Sequence, residues 1–189
     1  MPDWDERYRR GEHSPDEPTP LLRIATQNLK PGRALDLACG PGRHAIFLAA
    51  HGWKVTAVDF SRVAIHTLQQ RARDAGVTLD ARVADLELHE FRIEPGAYDL
   101  ICVFYYLQRN LFPAIRAGVK PGGTITAAIH LNDGKPGAKP RNPAFLLEPG
   151  ELRESFRDWE LNYYREGASE EVGHHHDTAY LIARRPVSA

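Results

Sequence analysis

The sequence has no long apolar run, no cluster of basic residues and only two cysteines, and each shortage excludes a class of protein. Its longest apolar stretches are strand-sized and are broken by Arg, Asp or Pro, well short of the ~20 residues a transmembrane helix needs. The opening "MPDWDERYRR" is polar and lacks the apolar centre of a signal peptide, so a cytoplasmic protein with no membrane partner is expected. The net charge is −1 and no Lys/Arg run is present, which argues against a nucleic-acid partner. Cys39 and Cys102 both sit in apolar, strand-like contexts and read as reduced thiols. Internal repeats and low-complexity tracts are also missing. The nearest thing is the Gly/Pro/Lys-rich loop "NDGKPGAKPRNP", Asn132 to Pro143.

What is present is a chain of 189 residues, 42% hydrophobic and 26% charged, enough for one well-packed domain. We expect a single domain over 1–189, with an N-terminal arm or lid at 1–18 and a core at 19–189. "SPDEPTP" punctuates the arm, and a short helix follows over roughly Thr19 to Leu29. Five strand readings then alternate with helices: "RALDLA", "KVTAVDF", "TLDARVAD", "YDLICVFYY" and "TITAAIHL". Gly52 suits a helix C-terminus and Ser61 a helix N-cap, while "KPGG" separates the helix starting near Asn110 from the fifth strand. "EPGELRESF" reads as a short helix, and "WELNYYRE" with "TAYLIARR" as a terminal antiparallel pair. The expected fold is α/β, a doubly wound, mostly parallel seven-stranded sheet with helices on both faces and a C-terminal antiparallel hairpin.

The chemistry concentrates at the carboxyl ends of these strands, where an open α/β sheet binds its ligand. In "ALDLACGPGRHAIFLA", Gly40 and Gly42 allow a sharp turn and a close ligand approach, and the next helix aims its N–H groups at the site. The spacing Gly40, Gly42, Ala45 also satisfies the dinucleotide pattern G-x-G-x-x-G/A, so the loop alone fits either a nicotinamide cofactor or S-adenosylmethionine. Asp59, ending the second strand, can hold the ribose hydroxyls of either. Asp36 separates the two, because a carboxylate inside the turn suits an ammonium group and would repel a pyrophosphate. "ADLE" adds Asp85 at the end of the third strand, placed to accept a hydrogen bond from an adenine amino group.

Together these residues resemble the class I S-adenosylmethionine-dependent methyltransferases, with a Rossmann-like fold. "WDERY", "DEPTPLL" and "NPAFLLEPGELRESF" look like a narrower group, the small tellurite-resistance and thiopurine-type methyltransferases. The resemblance implies that Asp36, Ala38, Gly40 and Gly42 surround the methionine part of the cofactor and that Asp59 holds the ribose. It further implies that Phe60 packs on the adenine, that Asp85 and Leu86 bind the adenine edge, and that Phe104 or Tyr105 flanks the sulfonium. Trp4 and Tyr8, with Arg9, come from an arm resembling the family's lid, and their rings could meet the sulfonium by cation–π contact.

Methyl transfer is an in-line displacement with a neutral leaving group, so alignment and a dry pocket matter most. A thiolate or a selenium or tellurium nucleophile needs no base, whereas a hydroxyl or amine does. Tyr8, Tyr105 and His130 are the candidates on the acceptor side, with Tyr106 beside them. Each also has a plainer reading as a packed strand-end residue. His174, His175 and His176 read as a solvated hairpin. No metal is expected, since consecutive residues on an extended chain alternate in direction and no further ligands are spaced around them. "VFYYLQ" lacks the Asn/Asp-Pro-Pro-aromatic pattern of nucleic-acid amino methyltransferases, and Cys102 lacks a preceding proline. The expectation is a small-molecule methyl acceptor and a monomer or homodimer. The alternatives are an NAD(P)-dependent oxidoreductase and a non-catalytic S-adenosylmethionine-binding protein.

Overall fold

The computed structural model describes residues 4–11, 16–132, 142–169, 171 and 176–187. The polar arm carries a helix, α1 (Trp4–Arg9), whose Asp5 and Glu6 lie in the first turn and Arg7 and Arg9 in the last, complementing the helix dipole. α2 (Pro20–Thr26) starts where Thr19 accepts a hydrogen bond from the Leu22 N–H (3.3 Å) and Pro20 presets the first turn. It stops three residues short of Leu29; the Thr26 hydroxyl donates back to the Leu22 carbonyl (2.9 Å) at its end.

Seven strands form one sheet: β1 (Arg33–Leu37), β2 (Lys54–Asp59), β3 (Asp80–Val83), β4 (Tyr98–Phe104), β5 (Val119–His130), β6 (Glu160–Gly167) and β7 (Thr178–Arg184). The remaining α-helices are α3 (Arg43–Ala50), α4 (Arg62–Asp74), α5 (Phe112–Gly118) and α6 (Glu151–Ser155), with short 3-10 turns at Arg109–Leu111 and Pro143–Phe145. The strand order is β3-β2-β1-β4-β5-β7-β6. The first five strands pair in parallel, β7 runs antiparallel beside β5, and β6 antiparallel beside β7. β6 therefore points the same way as the parallel strands, and its link to β7 emerges at the same edge as the glycine turn. The expected α/β fold with its terminal hairpin is present.

Alternation along β1 divides the core. Leu35 and Leu37 join the layer under α5 and α6, with Ile101, Ile115, Leu152 and Phe156. Ala34 faces the other layer, under α2, α3 and α4, with Leu22, Leu48, Ile65 and Leu68. Asp36 shares the α3 face and is buried there.

Several strand boundaries differ from the sequence reading, β3 being trimmed to Asp80–Val83, and two of the differences have clear physical reasons. "KPGG" is drawn into β5, which starts at Val119, and the register against β4 shifts between Tyr98 and Leu100. Gly123 is needed at that irregularity, since a Cβ would approach the Asp99 carbonyl oxygen to 3.1 Å. β4 ends at Phe104 instead of Tyr106, because Tyr105 adopts a left-handed φ of 59° that breaks the pleat.

Gly42 has a packing reason in addition to the turn its motif suggested. Its φ is 82°, and a Cβ there would collide with Leu68 Cδ1 on α4. The glycine serves the close packing of the loop against α4. Gly42→Ala should therefore destabilise the protein by about 1–3 kcal/mol from overpacking. Adding Leu68→Ala should recover part of the overpacking cost, so that the double variant loses less than the sum of the two single losses in a denaturant-unfolding cycle.

Candidate active site at the carboxyl edge of the sheet

The loop between β1 and α3 holds three left-handed residues, Ala38 (φ 53°), Gly40 (53°) and Gly42 (82°). Ala38 is strained in that conformation, a cost of the kind that gathers at functional sites. What pins the loop is Asp59 at the end of β2. Its Oδ2 accepts the Gly40 N–H (2.8 Å) and its Oδ1 accepts the Ser61 N–H (2.9 Å). Ser61 caps α4 through the Ala64 N–H (3.0 Å) and donates its hydroxyl hydrogen to Asp5 of α1. The arm is thereby tied to the loop's own anchor. Tyr8, also on α1, brings its hydroxyl within 3.1 Å of where a Gly40 Cβ would stand.

Asp36 lies beneath the first turn of α3. Its Oδ2 is buried with no hydrogen-bond partner among the described residues. Burial lifts its pKa from 3.8 to about 7, against the pull of the Arg43 guanidinium and the Ala45 N–H, with Asp59 adding a smaller push upward. Burial likewise raises the Asp59 carboxyl and the Tyr8 phenol, and drives the Cys39 and Cys102 thiols well up, so neither cysteine offers a thiolate. His44 is pushed the other way, well below its ordinary value, and its Nε2 accepts the Thr19 N–H (3.3 Å) as a neutral ring.

A second group gathers where β4, β5 and the β6–β7 connection meet. The Tyr105 ring lies 5.0 Å from that of His130, and His130 lies 5.9 Å from His176. His130 Nδ1 is 3.2 Å from the Thr178 hydroxyl. Beside them Arg43 and Glu171 form an ion pair at 2.8 Å with both side chains only 8% exposed. His174 and His175 lie outside the described residues; His176 is buried and does not match the solvated hairpin reading. Among the described residues no three His, Cys, Asp or Glu side chains come together as a metal site.

The other expected residues are dispersed around this centre. Phe104 is buried and stacks on His44, with ring centroids 4.1 Å apart. Phe60 is 47% exposed next to Asp59. Asp85 Oδ1 accepts the Glu87 N–H (2.8 Å) and the Leu88 N–H (3.3 Å), and Leu86 packs into the core. Trp4 lies 5.6 Å from Tyr8 and carries the Arg7 guanidinium 4.4 Å above its ring.

The sequence reading grouped Tyr105 with Tyr106, but the structure separates them. Tyr105 packs in the layer with α3, and Tyr106 against the opposite layer. The reading also passed over Arg43, Glu171, Gln108 and the Asp5–Ser61 contact. Arg43 did carry a signal. A cation in the first turn of a helix opposes the dipole, and such a residue needs a compensating partner.

Strand order, glycine turn and terminal hairpin together define the class as the Rossmann-like methyltransferase fold. The structure of TehB from Haemophilus influenzae superposes with a TM-score of 0.79 at 22% identity, covering 96% of this chain and 67% of that one. The chain belongs to the family of tellurite resistance protein TehB, whose model matches residues 21–184. Among curated relatives, hemagglutinin 1 of Eikenella corrodens is 32% identical over 84% of this chain and 54% of its own length. The probable S-adenosyl-L-methionine-dependent methyltransferase TehB of H. influenzae is 27% identical over 77% of this chain and 52% of its own. The chain thus spans about half the length of the curated relatives it matches. No helix among the described residues is long and apolar enough to cross a membrane.

Asp36 yields a pH signature. Because its folded pKa is raised, ionisation costs nothing below the ordinary value of 3.8, grows in cost as pH rises, and reaches its full penalty above about 7. Asp36→Asn should match the wild-type melting temperature near pH 4 and exceed it above pH 7 in ligand-free calorimetry.

Proposed function

We propose that this protein is an S-adenosylmethionine-dependent methyltransferase acting on a small-molecule acceptor. The observation that carries the reading is the unpartnered buried oxygen of Asp36 at the foot of the glycine turn. Such an oxygen suits a ligand ammonium, met directly or through water, and is a poor neighbour for a diphosphate. Asp59 would hold the ribose and Asp85 the adenine amino group, with Phe60 against the base. The likeness to a probable S-adenosyl-L-methionine-dependent methyltransferase of H. influenzae supports this reading.

S-adenosylmethionine supplies an activated methyl group on a sulfonium, whose loss leaves a neutral thioether. The chain's residues therefore need to align the acceptor and exclude water, with no proton to deliver to a leaving group. α1 does the covering, held by Asp5 on Ser61 and by Tyr8 on Gly40. Tyr105 and His130 line the acceptor half. Glu171, the carboxylate that acts on the Tyr105 phenol, is paired with Arg43. That pairing favours an acceptor that needs no strong base, such as a thiol or a reduced selenium or tellurium species. The near-neutral charge and the buried thiols favour a cytoplasmic enzyme that acts on neither nucleic acid nor membrane.

Titration calorimetry on the full chain should give binding of S-adenosylmethionine and S-adenosylhomocysteine and none of NAD(P). Asp59→Ala should weaken both by at least about 10-fold, the scale of hydrogen bonds to a charged group. Binding of NAD(P) alone would sink the proposal in favour of an oxidoreductase. Binding of S-adenosylmethionine without turnover of thiols, selenols, tellurite, amines or phenols would point to a non-catalytic binder.

A further inference from the structure

Two adjacent tyrosines leave β4 for opposite faces of the sheet, and only one of them belongs to the acceptor half. The switch lies in the backbone. Tyr105 has φ 59° and its N–H donates to the Ala128 carbonyl (2.6 Å), so β5 holds the turn in place. A tyrosine in left-handed backbone costs about 1–2 kcal/mol and persists only where surrounding contacts impose it. After that turn Tyr106 crosses towards the end of β3. Its hydroxyl donates to Gln108 Oε1 (2.6 Å), and Gln108 Nε2 donates to the Leu86 carbonyl (3.1 Å). Leu86 directly follows Asp85. The chain of hydrogen bonds therefore spans from β4 to the turn that carries the adenine-side acid.

The surroundings of the Tyr106 ring fit a nucleoside. The carboxylates that act on its phenol are Glu87, Asp85 and Asp59, two of which are the groups assigned to the adenine amino group and the ribose. Tyr106 is half-buried, and its hydroxyl is committed to Gln108. The ring is thus held at a fixed angle, with acids around it that can take the polar edge of a purine. Tyr105 has instead Glu171, Tyr180, Arg43 and His130 as neighbours.

We propose that Tyr106, braced by Gln108, is the aromatic wall of the nucleoside half of the site, and that the left-handed turn at Tyr105 divides this half from the acceptor half. The inference rests on the S-adenosylmethionine reading above. It makes Tyr106 a binding residue for the adenosine portion alone, indifferent to the amino-acid portion. Asp36 has the complementary role, serving the amino-acid portion alone.

Two probes separate these roles, S-adenosylhomocysteine and 5′-methylthioadenosine, which keeps the nucleoside and lacks the amino acid. In calorimetry on the full chain, Tyr106→Ala should weaken both by the same factor, about 10-fold or more for loss of an aromatic face against a base. Tyr106→Phe, which keeps the ring, should restore most of the affinity for both. Asp36→Asn should weaken S-adenosylhomocysteine and leave 5′-methylthioadenosine unchanged. If Tyr106→Ala does not fold, Gln108→Ala takes its place, with an expected loss of about fivefold on both probes, the worth of one hydrogen bond. Unchanged binding of both probes by these variants, or loss confined to S-adenosylhomocysteine, overturns the inference and leaves the methyltransferase reading standing. A wild-type protein that binds neither probe overturns both.

Discussion

The carboxylate of Asp59 holds the site in one geometry. One oxygen takes the Gly40 N–H and the other takes the Ser61 N–H, so the glycine turn and the start of α4 share a single anchor at the end of β2. Ser61 passes the connection to Asp5, and so to the arm. A neutral side chain at 59 would satisfy at most one of the two amides and would leave the other buried donor without its partner. The loop's left-handed residues, the capping of α4 and the docking of α1 all depend on this group.

Charge in the site is arranged as an alternating series. Asp36 is buried beneath α3, Arg43 opens that helix, and Glu171 reaches Arg43 from the β6–β7 connection. Buried ions of one sign would be prohibitively costly, and the series avoids this by giving each carboxylate the same guanidinium to face. Arg43 shares its charge between Asp36 and Glu171, which leaves Asp36 incompletely balanced and available to a further cation. That imbalance agrees with an ammonium-bearing cofactor and gives the ligand-free protein a titratable group near neutral pH.

Much of the architecture was legible in one dimension because it rests on periodic and local signals. The apolar run of β1, the N-cap Ser61 and the acid at the end of β2 each announce themselves within a few residues. The misreadings came where a distant segment overrode the local pattern. The packing role of Gly42 is hidden in the same way, because Leu68, 26 residues away in sequence (68 − 42), fills the space its Cβ would need. "KPGG" looks like a connector until Val119 and Thr124 on either side of it pair with β4 and its glycines bond to Arg185. "FYY" looks like a continuing strand, because nothing in three aromatic residues reports a positive φ.

Sequence alone determined the class of fold and the placing of three acids, Asp36, Asp59 and Asp85, at or beside the carboxyl ends of successive strands. These follow from hydrophobic period, turn chemistry and the direction of parallel strands, all of which act over short stretches of chain. Only the tertiary structure decided which groups face one another. It paired Arg43 with Glu171 across 128 positions of sequence, drew Asp5 onto Ser61, and sent Tyr105 and Tyr106 to opposite faces. Such contacts depend on the relative placement of elements that fold back from far along the chain, and no local propensity encodes them.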